Sequence, residues 1–520
     1  MPWRPAGWGV CCATTGPGAT NAITGVAAAY DNDIPLLVLT AQTPLGSFGR
    51  GAFQDSSDTG INTLGLFQHC TRYNTLVSHP AQLECKLYAA VLTAFDSGAP
   101  AHLSLPMDVL RAPCPQGPRL DVAGLRAVPH GVDEAGVQAL AARLGAARRV
   151  LFVLGEGSAP AAGLLATLAW RLPAEVVTTP HGKGMISPFH PCFRGVIGFA
   201  GHRSALAALE NPELDLVVAV GTGLSEWTAD CWDDRARLGD RLVHVDVHPR
   251  HFARSPAASL HVLGPPERIF ERVLAALEAQ GRLTARPAPT LKTVGADGEA
   301  FPFLTDDPES MRAEGAPIKP QRLMVELARR FPPQTIWLAD VGNSFAWATH
   351  YLHPYDRRIT GPRGRDVGMF RACFDFAPMG WAIGAAVGVA LGRRGQPVVC
   401  ITGDGSWLMN GQEITVAAEQ GLPILYVVLN DAALGMVRHG QRANGAESIG
   451  WKLPRVDYAA MARSLGIAGY VIESPEDFFS IDVEAFCSGG TPILIDARID
   501  PEESPPLGLR LRSLQKPTDR

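Results

Sequence analysis

Pro397-Val398-Val399-Cys400-Ile401-Thr402-Gly403-Asp404-Gly405-Ser406 is the stretch that decides the fold of this 520-residue chain. An apolar run this short, closed by Gly-Asp-Gly, reads as a buried parallel strand ending in a tight acidic turn. Residues 412–420 have helical character, and Pro423-Ile424-Leu425-Tyr426-Val427-Val428-Leu429 reads as the next strand, ending in Asn430-Asp431. Strand, acidic turn, helix, strand and polar turn make one βαβ unit. Its two polar turns lie side by side at the carboxyl edge of a parallel sheet, where open α/β folds bind ligands. Asp404 and Asp431 stand 27 positions apart. Two side-chain oxygens there, with helix N-terminal amides nearby, suit Mg²⁺ holding a diphosphate. Gly-Asp-Gly alone is a common turn, so the weight rests on the whole pattern.

Working outward, the length allows three domains of ordinary size. Apolar residues make up 46% and charged residues 19%, which fits a soluble globular chain with a large core. A net charge of −5 without a basic run argues against nucleic acid as the main partner. Ten cysteines without a C-x-x-C pair fit reduced thiols in the cytoplasm better than a zinc site or a disulfide framework. Met1-Pro2-Trp3-Arg4-Pro5 lacks the apolar core of a signal peptide. Residues 376–392 are apolar and rich in Gly and Ala. They read as a tightly packed buried helix and not a membrane span, so no membrane partner is expected.

Three α/β blocks follow. Residues 1–113 hold strands at Ile34-Pro35-Leu36-Leu37-Val38-Leu39 and Ala101-His102-Leu103-Ser104-Leu105-Pro106. Residues 130–280 hold runs such as Val150-Leu151-Phe152-Val153-Leu154-Gly155 and Leu216-Val217-Val218-Ala219-Val220-Gly221, each ending in a turn residue before helical sequence. Residues 285–317 read as a linker, 318–500 as the third block, and 501–520 as an extended polar tail. The expected class is α/β, with three doubly wound parallel-sheet domains of which the first is truncated.

Thr14-Thr15-Gly16-Pro17-Gly18-Ala19-Thr20-Asn21, Ala52-Phe53-Gln54-Asp55, Leu105-Pro106-Met107-Asp108, Asp340-Val341-Gly342-Asn343-Ser344 and Met379-Gly380 accompany the Asp404 pattern. Together, from Gly9 to about Asp496, they resemble thiamine diphosphate-dependent enzymes of the acetolactate synthase-like group. The resemblance implies thiamine diphosphate and Mg²⁺ as cofactors. It implies Asp404, Asp431 and the backbone carbonyl of Ala433 as metal ligands. Gly342, Asn343, Ser344, Ala377, Gly403, Gly405, Ser406, Leu434, Gly435 and Met436 would line the cofactor. Met379 would be the apolar wedge beneath it, with Gln54 and Arg72 facing a 2-oxo acid substrate. The implied activity is decarboxylation with possible carboligation, in a homodimer or homotetramer whose active site lies between chains.

Three departures from the family's pattern qualify the carry-over. The family usually has Asn where Asp431 stands; the added negative charge beside a diphosphate asks for a nearby cation, or for Asn430 to be the ligand if the turn slips by one residue. Gly440 replaces a tryptophan of the biosynthetic members, which widens the pocket, and Gly221-Thr222-Gly223-Leu224-Ser225-Glu226-Trp227 differs from their flavin-contacting stretch, which makes FAD doubtful. The family's activating glutamate belongs upstream of Gly9, and the first glutamate here is Glu84, on what reads as a surface helix. The alternative reading is therefore a weakly active or inactive cofactor-binding partner subunit. His350 and His439 read as ordinary core or helix histidines.

Overall fold

The computed structural model describes residues 9–113, 131–228, 239–289, 303–332, 334–353 and 370–507. They form two compact units: the first contains residues up to 113 together with Cys373–Pro378, and the second contains the remainder. The protein is α/β with three parallel sheets, of four, six and six strands.

In the first unit β1 (Gly9–Ala13), β2 (Leu36–Gln42), β3 (Tyr73–Leu76) and β4 (Pro100–Pro106) are ordered β1-β2-β4-β3. Every residue of β4 is buried, as expected for a central strand covered on both faces. Helix α1 (Pro17–Asp31) follows β1 and starts with proline at its first position, where the missing N–H is harmless.

The middle sheet has β5 (Val150–Leu154), β6 (Glu175–Thr178), β7 (Phe193–Val196), β8 (Leu216–Val220), β9 (Leu242–Asp246) and β10 (Leu260–Leu263), ordered β10-β9-β8-β5-β6-β7. Its core includes Phe152, fully buried and edge-on to Phe270 at 6.3 Å. Phe152→Ala is expected to cost about 3–5 kcal/mol of stability, because so large a cavity collapses only partly. Chemical denaturation of both proteins checks it. Part of the expected linker belongs to this core: Phe303 is buried and packs edge-on against Phe193 at 5.5 Å.

The third sheet has β11 (Ile336–Ala339), β12 (Phe370–Ala372), β13 (Val398–Gly403), β14 (Ile424–Asn430), β15 (Ala468–Ile472) and β16 (Ile493–Arg498), ordered β12-β11-β13-β14-β16-β15. The chain reverses its direction of winding beside β11 and β13, so a topological switch point opens at their carboxyl ends. Gly403 pairs with Leu429, which sets Asp404 and Asp431 at neighbouring strand ends.

Two further expectations need correction. The apolar run from Phe376 is helical only from Trp381 to Gly392, here α2. Pro378 disfavours helical geometry at the residue before it, and Gly380 turns the chain at φ +87°. This helix is also not buried all round: Ala382, Ile383 and Ala386 face the core, while Leu391 is 40% exposed. Residues 501–507 are docked and not extended. Glu503 pairs with Lys319, Glu502 lies 3.3 Å from Arg438, and Leu507 is buried. Residues 508–520 lie outside the described residues. Among the described residues, no helix is long and apolar enough to cross a membrane.

Candidate functional site

Three strand-to-helix turns converge at the switch point. After β11 the chain runs through Gly342 into helix α3 (Asn343–Tyr351), after β13 straight into α4 (Asp404–Asn410), and after β14 through Asp431 to Leu434 into α5 (Gly435–Asn444). Each helix presents its first amides at the same sheet edge.

Asp404 is buried. Its Oδ1 accepts from the Gly405 amide at 2.7 Å and its Oδ2 from the Ala433 amide at 3.3 Å, tying the two acidic turns together. Burial, and then the charge of Asp431, push its pKa up to about 7 despite those amides. Burial raises Asp431 to about 6, opposed chiefly by the Arg438 guanidinium on α5. Two carboxylates with raised pKa values and few internal partners form an acidic pair that a cation would stabilise. Asn430 is engaged on the sheet side through its amide nitrogen. Its Nδ2 donates to Val456 O at 3.0 Å and to Asp496 Oδ1 at 2.8 Å, so its side chain belongs to the sheet. Among the described residues no cluster of three or more His, Cys, Asp or Glu is arranged for a metal, so the acidic pair would need other oxygens to complete a coordination shell.

The remaining residues expected in this unit gather round the pair. A Cβ on Gly435 would lie 2.3 Å from Asn343 Nδ2 and 3.3 Å from Asp431 Oδ2, which places Asn343 beside the second acid. Asn343 Oδ1 is buried without a hydrogen-bond partner. A Cβ on Gly405 would meet Leu434 Cδ2 at 2.6 Å and Met379 Cε at 3.3 Å, so only glycine lets these side chains close over the turn. Ser344 Oγ donates to the Asp340 carbonyl at 2.7 Å. Ser406 is buried on α4, Gly403 caps it, and Met436 lies in the first turn of α5. Trp451 and Leu453 cover the second turn: Leu434 N donates to Trp451 O at 2.7 Å, and Leu453 N to Ala432 O at 2.9 Å.

Sequence reasoning missed Arg438 as the cation facing Asp431, although an arginine seven positions past an unexpected acid, in the first turn of the next helix, was a signal to follow. His350 is a satisfied core residue, with Nδ1 3.1 Å from Ala200 O and Nε2 accepting from the Asp306 amide at 2.8 Å. His439 is buried, and burial with Arg438 holds its pKa down at about 4.

Gln54, Arg72 and Ala377 belong to the first unit. Gln54 sits at the glycine-rich turn after β1, where its carbonyl accepts from Thr15 Oγ1 at 2.9 Å. Arg72 does not join it. Its amide donates to Pro100 O at the start of β4, and its guanidinium lies 4.5 Å from the centre of the Tyr30 ring near the end of α1. Gln54 is thus at the carboxyl edge of the sheet and Arg72 at the amino edge. A parallel sheet and a 15-residue helix of about 22 Å separate them, which corrects the expectation that both face one pocket. Glu84 is exposed in the first turn of the helix Leu83–Ser97.

Residues 340–497 match the family model for the C-terminal TPP binding domain of thiamine pyrophosphate enzymes, 137–277 its central domain, and 4–61 its N-terminal TPP binding domain. Among curated proteins, the chain is 32% identical to a putative acetolactate synthase large subunit of Mycobacterium tuberculosis, over 97% of this chain and 89% of that protein. It is 29% identical to a probable acetolactate synthase large subunit of Methanocaldococcus jannaschii, over 98% and 85%. It is 30% identical to a probable 2-ketoarginine decarboxylase of Pseudomonas aeruginosa, over 91% and 79%.

Proposed function

Because this chain belongs to the thiamine pyrophosphate enzyme family, we propose that it decarboxylates a 2-oxo acid and passes the acyl unit to a second carbonyl compound. Its TPP-binding domains imply thiamine diphosphate as the cofactor. The observation that carries the proposal is the pair of buried Asp404 and half-buried Asp431 at adjacent strand ends, beside the unpartnered Asn343 Oδ1. These residues fit a Mg²⁺-bound diphosphate: the metal would neutralise the acids, and the start of α3 would offer amides to phosphate oxygens. When bound, thiamine diphosphate supplies the carbon nucleophile and electron sink that decarboxylation of a 2-oxo acid requires.

In this proposal Asp404, Asp431 and the Ala433 carbonyl hold the metal, while Gly342, Asn343, Ser344, Gly405 and Ser406 bind the diphosphate. Met379, Leu434 and Met436 give the cofactor an apolar bed and keep water from the reacting centre. Gln54 contributes from the pyrimidine-binding domain. FAD is left out of the cofactor set. The chain assembles as a homodimer or homotetramer, which sedimentation tests.

Substrate size follows from α5. A Cβ added at Gly440 would find no atom within 4 Å, so that side of the helix is open. The substrate is accordingly larger than pyruvate, a reading the 2-ketoarginine decarboxylase relative supports. A panel of 2-oxo acids scored by CO₂ release is expected to favour long side chains. Exclusive use of pyruvate would count against it. No release from any member, with the cofactor bound, would favour the alternative of a cofactor-binding partner subunit.

A further inference from the structure

Asp340 closes β11 and is fully buried. Every group that meets its side chain is a donor. Oδ2 accepts from the Gly380 amide at 3.0 Å and from Thr402 Oγ1 at 2.9 Å. Oδ1 accepts from the Val341 amide at 3.0 Å and from the Ala382 amide at 3.4 Å. Four donors on two oxygens is the pattern of an ionised carboxylate, since a protonated acid would spend one oxygen as a donor.

The partners come from three elements. Thr402 lies two residues before Asp404 on β13. Val341 opens the turn that leads to Asn343. Gly380 caps α2 and Ala382 lies in its first turn, with Met379 immediately before the cap. Gly380 caps α2 with a left-handed backbone and no side-chain hydrogen bond, so the orphan amides of that helix are satisfied from β11 instead. A side chain on Gly380 would also meet Asn410 Nδ2 at 2.0 Å, which leaves the turn little freedom to move. The backbone carbonyl of Asp340 receives Ser344 Oγ, and the Asp340 amide donates to Ile401 O at 2.8 Å.

We propose that Asp340 is a positioning residue that fixes the height of Met379 over the Asp404–Gly405 turn, and so serves the organic half of the cofactor and not its diphosphate. This rests on the reading of the switch point as a thiamine diphosphate site. The acids and hydroxyls that would face the diphosphate are held by bonds other than those of the Asp340 carboxylate: Asp404 by Gly405 and Ala433, and Ser344 by the main-chain carbonyl of residue 340, which a side-chain substitution retains. The Met379–Gly380 turn is held by the Asp340 carboxylate at the Gly380 amide, at 3.0 Å, and by the longer 3.5 Å bond from Asn410 Nδ2 to Met379 O. Asparagine offers one acceptor oxygen in place of two and turns an amine towards Gly380 or Ala382, so the turn must shift while the acidic pair stays.

The test compares two probes on the full chain with Mg²⁺, thiamine diphosphate and inorganic diphosphate, by calorimetric titration. Asp340→Asn is expected to weaken thiamine diphosphate about tenfold or more and to leave inorganic diphosphate within about twofold. Adding Met379→Ala to Asp340→Asn is expected to cost little beyond either single change, because both act through one contact. If Asp340→Asn fails to fold, Thr402→Val takes its place. It keeps the carboxylate and removes one donor, and is expected to weaken thiamine diphosphate by about two- to fivefold with inorganic diphosphate unchanged. Equal weakening of both probes, or of neither, would overturn the role of Asp340, as would full additivity with Met379→Ala. A wild-type chain that binds thiamine diphosphate no better than inorganic diphosphate would instead overturn the cofactor reading itself, and this role with it.

Discussion

Asp404→Ala is expected to weaken thiamine diphosphate binding in Mg²⁺ by about 100-fold or more, the largest effect of any single change in the site. Three losses coincide. The substitution removes a metal oxygen, the acceptor of the Gly405 amide and the acceptor of the Ala433 amide. The two acidic turns would then lose the carboxylate that holds them in register. Asp404→Asn separates these effects, because it keeps an oxygen but lowers the charge, and an intermediate loss is expected. Calorimetric titration of the three proteins checks the series. An Asp404→Ala protein that binds within threefold of wild type would remove Asp404 from the site.

Asp431→Asn is expected to act in the opposite direction on the empty protein. Burial raises the folded pKa values of Asp404 and Asp431 to about 7 and about 6, above the ordinary carboxylate value of 3.8. The folded state therefore binds the extra protons, and the stability this brings is complete below about pH 4. It is lost as the pH rises through 6 and 7. Without metal, the wild-type chain should melt lower at pH 8 than at pH 5. Asp431→Asn relieves Asp404 of its neighbour's charge and removes one half-buried ionisation, so its melting temperature at pH 8 should exceed that of wild type, with a flatter pH profile. Cofactor binding should survive, since the amide oxygen remains available. Melting curves in EDTA across this pH range decide the matter, and equal slopes for both proteins would show that the pair is not strained when empty.

Sequence pattern carried the strand-turn-helix-strand unit because it is local. Apolar runs of strand length and Gly-Asp-Gly at a strand end are properties of contiguous residues, and the 27-position spacing of the two acids is that of one crossover. What it could not carry were side-chain bonds between distant segments. Asp340 looked like one member of a diphosphate loop, yet its carboxylate is engaged by residues 40 and 62 positions later. Arg438 is drawn into place by Pro501 and Glu502, which the composition of the C-terminal stretch presented as a free tail. Arg72 was misplaced for a related reason: its position on the amino edge depends on β3 entering the sheet beside β4, and the order β1-β2-β4-β3 is not written in local periodicity.

The most direct measurement is the affinity for thiamine diphosphate with Mg²⁺ and again in EDTA, at pH 8 where both acids are ionised. Binding that is about 100-fold tighter with the metal is expected, because the acidic pair repels a bare diphosphate and a divalent cation converts that repulsion into a bridge. Equal affinity in EDTA, or no binding under either condition, would contradict a diphosphate site at the ends of β13 and β14.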